Sequence, residues 1–201
     1  MKKRTGIAFL AILLFTTVPA LAHSPIMGIG GITGGILHAL LIPEHGMSLL
    51  ALGLALGQLE KSERRTGILI FVAVLTGSLV AAAFAIGEAM AADALLATTG
   101  ILGLLVVTLW TPAYLVWTLA TVVGLTLGLD SRPEVASNEE VIRMLFGSGL
   151  GGAISLAIVA EVSFLVRSNA QRMVARIMGS WITAIAILVL SLRLVTQMTV
   201  G

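Results

Sequence analysis

Residues 27–59 read MGIGGITGGILHALLIPEHGMSLLALGLALGQL, two apolar stretches on either side of Pro43-Glu44. A helix rises 1.5 Å per residue, so it needs about 20 apolar residues to cross the roughly 30 Å hydrocarbon core of a bilayer. Neither stretch, at about 27–42 and about 45–59, crosses comfortably alone. Because a proline inside a helix removes a backbone hydrogen bond, we predict one long first element that is broken near Pro43.

The rest of the chain has the same apolar character. Its 201 residues are 58% hydrophobic and 11% charged, with a mean hydropathy of +1.07, whereas an ordinary soluble domain is about 25% charged. Further apolar segments follow at about 67–87, 94–110, 113–129, 141–166 and 177–197. We therefore predict an all-α, polytopic membrane protein with about six transmembrane helices, and lipid as the solvent for most of its surface.

The start of the chain has the features of a secretory signal peptide. A basic beginning and an apolar stretch lead to Ala20-Leu21-Ala22, which matches an A-x-A cleavage site. We expect residues 1–22 to be removed and residues 23–201 to form one membrane domain whose N-terminus lies outside; an uncleaved first helix is the alternative. The chain has no cysteine, so metal ligands must be His, carboxylate, Met or backbone groups.

The charged loops alternate in sign along the chain. If residues 27–59 cross the membrane once, six basic residues face the cytoplasm and only one basic loop residue, Arg132, faces out. The six are Lys61, Arg64, Arg65, Arg167, Arg172 and Arg176. Two crossings, or a re-entrant hairpin, would put those six outside. We therefore prefer six crossings of the bacterial inner membrane, with the acidic loops at 88–93 and 130–140 outside.

No enzyme or nucleic-acid signature stands out. The formal charge of +2 comes from basic residues in short loops rather than from one basic face, which argues against nucleic acid. GSGLGG at 147–152 matches a dinucleotide-binding pattern in form, but it lies inside an apolar segment without a preceding strand. We expect packing glycines there, no permanently bound cofactor and no enzymatic activity.

All three histidines lie near the start of the mature chain: His23, His38 and His45, the last preceded by Glu44. In an unbroken helix, positions 38 and 45 would be about 10.5 Å apart along the axis, too far to share an ion. A break at Pro43 could bring His38 toward Glu44 and His45. Two imidazoles and a carboxylate suit Ni, Co, Zn or Cu better than Mg or Ca. The alternative is structural, with Glu44 and His45 capping the second helix and His38 bonded to a carbonyl.

Residues 34–58, GGILHALLIPEHGMSLLALGLALGQ, resemble the HupE/UreJ family of hydrogenase and urease accessory permeases. In that family a His is followed after five residues by an Asp-His pair at the head of a similar apolar run. The resemblance implies secondary uptake of nickel, or of cobalt, with His38, Glu44 and His45 matching the metal-handling positions. This chain departs from the family motif H-P-x-x-G-x-D-H at Ala39, Ile42 and Glu44, which bears on nickel selectivity more than on metal handling.

Three other positions carry expectations. A mature N-terminus at His23 would offer an amine and an imidazole, a chelating pair that could capture a metal ion at the outer mouth. Glu161 is expected to pair with Arg167, with a relay carboxylate as the alternative. Arg193 is expected to snorkel to the outer surface.

The sequence thus favours a permease for a divalent transition metal that serves metalloenzyme maturation. The rival is a non-transporting membrane scaffold or accessory subunit whose glycine-rich faces bind other membrane proteins. The sequence leaves open the metal, the coupling ion, and whether the chain forms a homo-oligomer or binds maturation partners.

Overall fold

The computed structural model describes residues 30–84, 91–133, 137–165 and 169–200. These residues form seven helices, which are α1 (Gly31–Leu41), α2 (Pro43–Gly57), α3 (Lys61–Ala83), α4 (Ala91–Thr108), α5 (Ala113–Leu129), α6 (Asn138–Leu165) and α7 (Asn169–Val200). No strand occurs in these four ranges, so the all-α prediction is confirmed. The predicted signal peptide and His23 lie outside the described residues.

The break in the first element lies at Ile42. This residue has extended backbone angles, φ −70° and ψ 118°, and Pro43 is the first residue of α2. A proline disfavours the helical conformation of the residue before it and is well tolerated as the first residue of a new helix. The two helices are consequently bent by 70°, as the position of Pro43 predicts.

Helices α1 and α2 run beside α6 in the same direction. Gly35 of α1 packs against the backbone of Met144, and Gly57 of α2 packs against Ser163. The order of contacts therefore follows the chain in both elements, over about 30 Å of helix axis. Because α1 does not turn back, this arrangement favours a broken span over a re-entrant hairpin.

The helices have the lengths and composition of a multi-pass membrane protein. Three are long and apolar enough to cross a bilayer alone: Lys61–Ala83, Asn138–Leu165 and Arg172–Thr196. The bent pair α1–α2 would make a fourth span. Helix α5 and most of α4 are shorter apolar helices of 17 residues, so the count of six crossings stays a prediction.

Helix α2 is the centre of the bundle and has contacts with all six other helices. Every residue from 51 to 57 is buried, and Leu52, Ala55 and Leu56 are completely so. Small residues allow this close packing: Gly53 faces the side chain of Val159 on α6 at a distance that leaves no room for a methyl group. The packed centre holds the start of α2, and therefore His45, in a fixed place.

The two ends of the bundle differ in charge. We call one the acidic end, because Glu44, Asp93 and Asp130 lie there at the start of α2, the start of α4 and the end of α5. The other, the basic end, carries the described cytoplasmic candidates Lys61, Arg64, Arg65, Arg172 and Arg176. The acidic and basic loops, which alternate along the chain, thus lie at opposite ends of the bundle.

Candidate metal site

His45 lies at the centre of the candidate site and is completely buried. Its Nε2 is 2.9 Å from Oδ2 of Asp130, the residue at the C-terminal end of α5. The hydroxyl of Ser48 donates to the backbone oxygen of His45 and leaves the ring untouched. The first turn of α2 and Asp130, the residue directly after α5, therefore fix the position of this imidazole together.

The hydrogen bond to Asp130 determines how the His45 ring can act. An ionised carboxylate only accepts hydrogen bonds, so Nε2 donates and Nδ1 of the neutral ring carries the lone pair. Nδ1 is buried and has no hydrogen-bond partner among the described residues. A buried lone pair without a donor is costly, and a metal ion is one way to satisfy it. Carboxylate, imidazole and metal in that order are a common arrangement around zinc and related ions.

His38 supplies a second imidazole from the last turn of α1. The centroids of its ring and the His45 ring are 5.5 Å apart, and the rings meet edge to face at 69°. Its Nε2 is buried as well. In an unbroken helix the two residues would lie about 10.5 Å apart along the axis. The break at Ile42 and Pro43 therefore brings the two imidazoles together.

Glu44 does not join the two imidazoles in this conformation. Its Oε1 is 2.6 Å from Nη2 of Arg193 on α7, and Nη1 of the same guanidinium is 3.3 Å from Oδ1 of Asp93. The side chain of Arg193 is 34% exposed at the acidic end, so the expectation that it snorkels toward the outer surface stays a prediction. Two carboxylates within the bundle hold the guanidinium, because a charge in an apolar helix is stabilised by partners of opposite sign.

The candidate ligands are thus only partly assembled. Among the described residues, no three His, Asp or Glu side chains are grouped as a ready-made metal site. The structure brings His38 to His45, turns Glu44 toward Arg193, and does not describe His23. The chemistry available is one completely buried imidazole, His45, beside the partly buried imidazole of His38, with carboxylates close by.

The alternative in which Glu44 and His45 cap an interfacial helix fits less well. His45 is fully buried, and α2 has no hydrogen bond from a capping side chain at its N-terminus. Glu44 does lie in the first helical turn, where a carboxylate is favourable. Its partner, however, is a guanidinium on another helix rather than the backbone of its own.

A second ion pair, between a buried arginine and an exposed glutamate, lies toward the basic end. Arg64, whose side chain is only 1% exposed, bonds both carboxylate oxygens of Glu161 at 3.1 Å and stacks on the Phe164 ring. Glu161 therefore pairs with an arginine, as preferred from the sequence, but the partner is Arg64 on α3. The expected partner, Arg167, lies outside the described residues.

Sequence reasoning missed three members of the cluster: Asp93, Asp130 and Arg193. They come from α4, α5 and α7, and Arg193 is 149 residues from Glu44 in the chain. One signal was available. Arg193 is the one charge in an otherwise apolar stretch from 177 to 200, and such a residue needs a partner inside the bundle.

These features define a class: a polytopic helical membrane protein whose broken first span carries two adjacent imidazoles, one of them completely buried. Comparison with known protein families identifies the family to which the chain belongs. The chain matches the model of the HupE / UreJ protein family over residues 10–189. It therefore belongs to the HupE/UreJ family, an accessory permease family associated with nickel or cobalt uptake. Searches of curated proteins and of solved structures found no match.

Proposed function

We propose that this protein is a secondary permease that takes up a divalent transition-metal ion for metalloenzyme maturation, with nickel as the first candidate and cobalt as the second. The observation that carries the proposal is that His45, whose buried Nδ1 has no hydrogen-bond partner among the described residues, has the His38 ring beside it, with the two ring centroids 5.5 Å apart. Imidazole is a good ligand for nickel and related ions and a poor one for Mg or Ca.

Each group in the cluster has a role in this proposal. His38 and His45 replace part of the hydration shell of the ion. Asp130 accepts a hydrogen bond from Nε2–H of His45, and this leaves Nδ1 of the same ring able to bind the metal. Glu44 joins when it leaves Arg193, and a mature N-terminus at His23 captures ions at the outer mouth.

The driving force in this proposal is the membrane potential. The acidic end faces outside, where its carboxylates raise the local concentration of cations. An inside-negative potential of 100 mV favours entry by about 2.3 kcal/mol per charge, so by about 4.6 kcal/mol for a dication. No nucleotide-binding motif is needed to supply energy on this scale.

The conformation described is closed toward the basic end. His45 and Gln58 are 13 residues apart, roughly 20 Å of helix axis, and the buried residues between them include Leu49, Leu52 and Leu56. A cavity of about 350 Å³ lies beyond this apolar layer. Its polar lining includes Gln58, Ser163 and Arg172. An ion held by the imidazoles therefore needs a rearrangement of the packed helices before it reaches that cavity.

The scaffold alternative finds less support in the packing. It requires glycine-rich faces that are free to bind other membrane helices, yet Gly35, Gly53 and Gly57 already pack against α6 within the bundle. Gly147 and Gly151 of the GSGLGG stretch likewise pack against α1. The glycines of these stretches hold this chain together, which leaves fewer of them for partners.

The test is uptake of radioactive nickel by cells that produce the unaltered protein, His38→Ala or His45→Ala at matched membrane levels. Cobalt, zinc and copper serve as competitors. We expect either substitution to reduce uptake at least tenfold, because each removes one of two imidazoles. Arg143→Gln is the matched control, since Arg143 forms an exposed ion pair with Glu139 at the same end of the bundle.

The strength of competition by each metal ranks the ions that the permease accepts. If nickel uptake equals that of cells without the protein, and no other metal is taken up either, the permease hypothesis is wrong. The scaffold hypothesis is then preferred. If neither His substitution reduces nickel uptake, the protein is still a permease, but the ion binds at another site.

A further inference from the structure

Arg193 is the one charged residue between positions 177 and 200 of the sequence. It belongs to α7, where its neighbours Leu192 and Leu194 are exposed on the outer surface of the bundle. A charged side chain on such a helix is unfavourable in lipid unless it finds partners. The partners of its guanidinium therefore indicate what it does.

The guanidinium links α7 to two other helices through carboxylates. Nη2 lies 2.6 Å from Oε1 of Glu44 on α2, and Nη1 lies 3.3 Å from Oδ1 of Asp93 on α4. The shorter contact has the length of a charge-assisted hydrogen bond. The side chain of Glu44 is 18% exposed and that of Arg193 is 34% exposed, so water reaches both groups in part.

The same contact directs Glu44 away from the candidate metal site. Neighbouring side chains on a helix point about 100° apart. On α2, His45 reaches Asp130 while Glu44 reaches Arg193. The guanidinium of Arg193 thus keeps the carboxylate of Glu44 away from the buried imidazole of His45, the next residue in the chain.

The charge of the cluster matches a divalent ion. Glu44, Asp93 and Asp130 carry three formal negative charges, and Arg193 carries one positive charge. With His38 and His45 neutral, the cluster has a formal charge of −2, which one dication neutralises. Without Arg193 the charge would be −3, and Glu44 would be free to bind the ion permanently.

We propose that Arg193 is a built-in counter-cation that holds Glu44 away from His38 and His45 and competes with the arriving divalent ion for that carboxylate. The ion draws Glu44 from Arg193 as it binds, and the return of Glu44 to Arg193 helps to release it. This inference rests on the proposed function, because it assigns a positioning role in binding and release of the transported ion.

The experiment measures KM and Vmax for radioactive nickel uptake, together with nickel binding to the purified full-length protein by equilibrium dialysis. Arg193→Gln removes the competing cation. We expect its KM and its dissociation constant for nickel to fall about fivefold to tenfold, and its Vmax to fall as well, because release becomes slower. Arg143→Gln removes the same charge from an exposed pair at the same end and should change neither constant.

Two further variants separate charge from structural support. Arg193→Lys keeps a positive charge near the carboxylates, so its KM should stay within about twofold of that of the unaltered protein. In the double variant Arg193→Gln with Glu44→Gln, the fall in KM should disappear, because the released carboxylate is its cause. Such non-additivity is expected of groups that act on one another.

Arg193→Gln with an unchanged or higher KM would overturn the inference and make Arg193 a structural ion pair. If that variant fails to reach the membrane, Arg193→Lys decides: a KM raised tenfold with the charge retained also overturns it. Should the unaltered protein neither bind nor transport nickel, the proposed function itself fails. If the unaltered protein takes up nickel normally and Arg193→Gln changes neither KM nor Vmax, only the inference about Arg193 is wrong, and the proposed function stands.

Discussion

At the scale of single residues, Asp130 determines how the ring of His45 is oriented. The carboxylate 2.9 Å from Nε2 leaves Nδ1 as the buried, lone-pair side of the ring. Asp130 itself is 24% exposed, so water reaches the carboxylate but not the completely buried imidazole. The pair therefore presents a fixed ligand toward the interior while its counter-charge stays close to the acidic end.

Asp130→Asn tests this orientation. An amide can donate to Nε2 as well as accept from it, so the ring proton can move to Nδ1 and block the metal. Loss of such a supporting carboxylate typically lowers metal affinity or activity about 10-fold to 100-fold, and we expect nickel uptake to fall by that range. The measurement is uptake at matched membrane levels, with thermal unfolding followed in parallel.

Glu139→Gln is the matched control for Asp130→Asn, because it neutralises an exposed carboxylate at the same end. It should leave nickel uptake unchanged. Equal uptake by the two variants would mean that Asp130 contributes only general negative charge, and the orientation argument would be wrong.

Some contacts of these residues can be predicted from the sequence, and others cannot. His38 and His45 are seven positions apart, so helix geometry and Pro43 suffice to predict that a break can bring them together. Asp130 is 85 residues from His45, and its contact depends on how α5 packs against α2. Glu44 carries a charge beside an imidazole in the sequence, and only the position of α7 reveals that Arg193 holds it.

At the scale of elements, the break between α1 and α2 joins fold and site. The 70° bend at Ile42 and Pro43 places the last turn of α1 against the first turn of α2. Glycines then hold both helices against α6, so the bend is fixed from two sides. The length and composition of these helices were readable from the sequence, because apolar runs and one proline determine them.

Pro43→Ala tests the break. Alanine is the best helix former, and it removes the restriction on Ile42, so the two helices gain a tendency to join. A straighter element separates His38 from His45, and we expect nickel uptake to fall at least tenfold while the protein still accumulates in the membrane. The measurement is nickel uptake, with circular dichroism of the purified protein to follow helix content.

Pro112→Ala is the matched control, because Pro112 is the residue before α5 at the opposite end of the bundle. Its uptake should be close to that of the unaltered protein. Unchanged uptake in Pro43→Ala, at equal membrane levels, would show that the bend is not needed to form the site.

At the scale of the whole molecule, the acidic and basic ends give the bundle a direction. The site lies near the acidic end, and a packed apolar layer separates it from the cavity at the basic end. A secondary permease must open this layer on one side while closing the other. The sidedness that basic loop residues predict would place the acidic end outside, where the ion enters.

In the proposed function, this chain alone carries a divalent metal ion across a bilayer through the His38–His45 pair. The most direct measurement is nickel entry into liposomes that contain only the purified protein, with an inside-negative potential imposed. We predict that nickel entry rises with the potential, is reduced at least tenfold in His45→Ala, and is unaffected in Arg143→Gln. Entry no faster than into protein-free liposomes, with the protein folded and inserted, would contradict the proposed function.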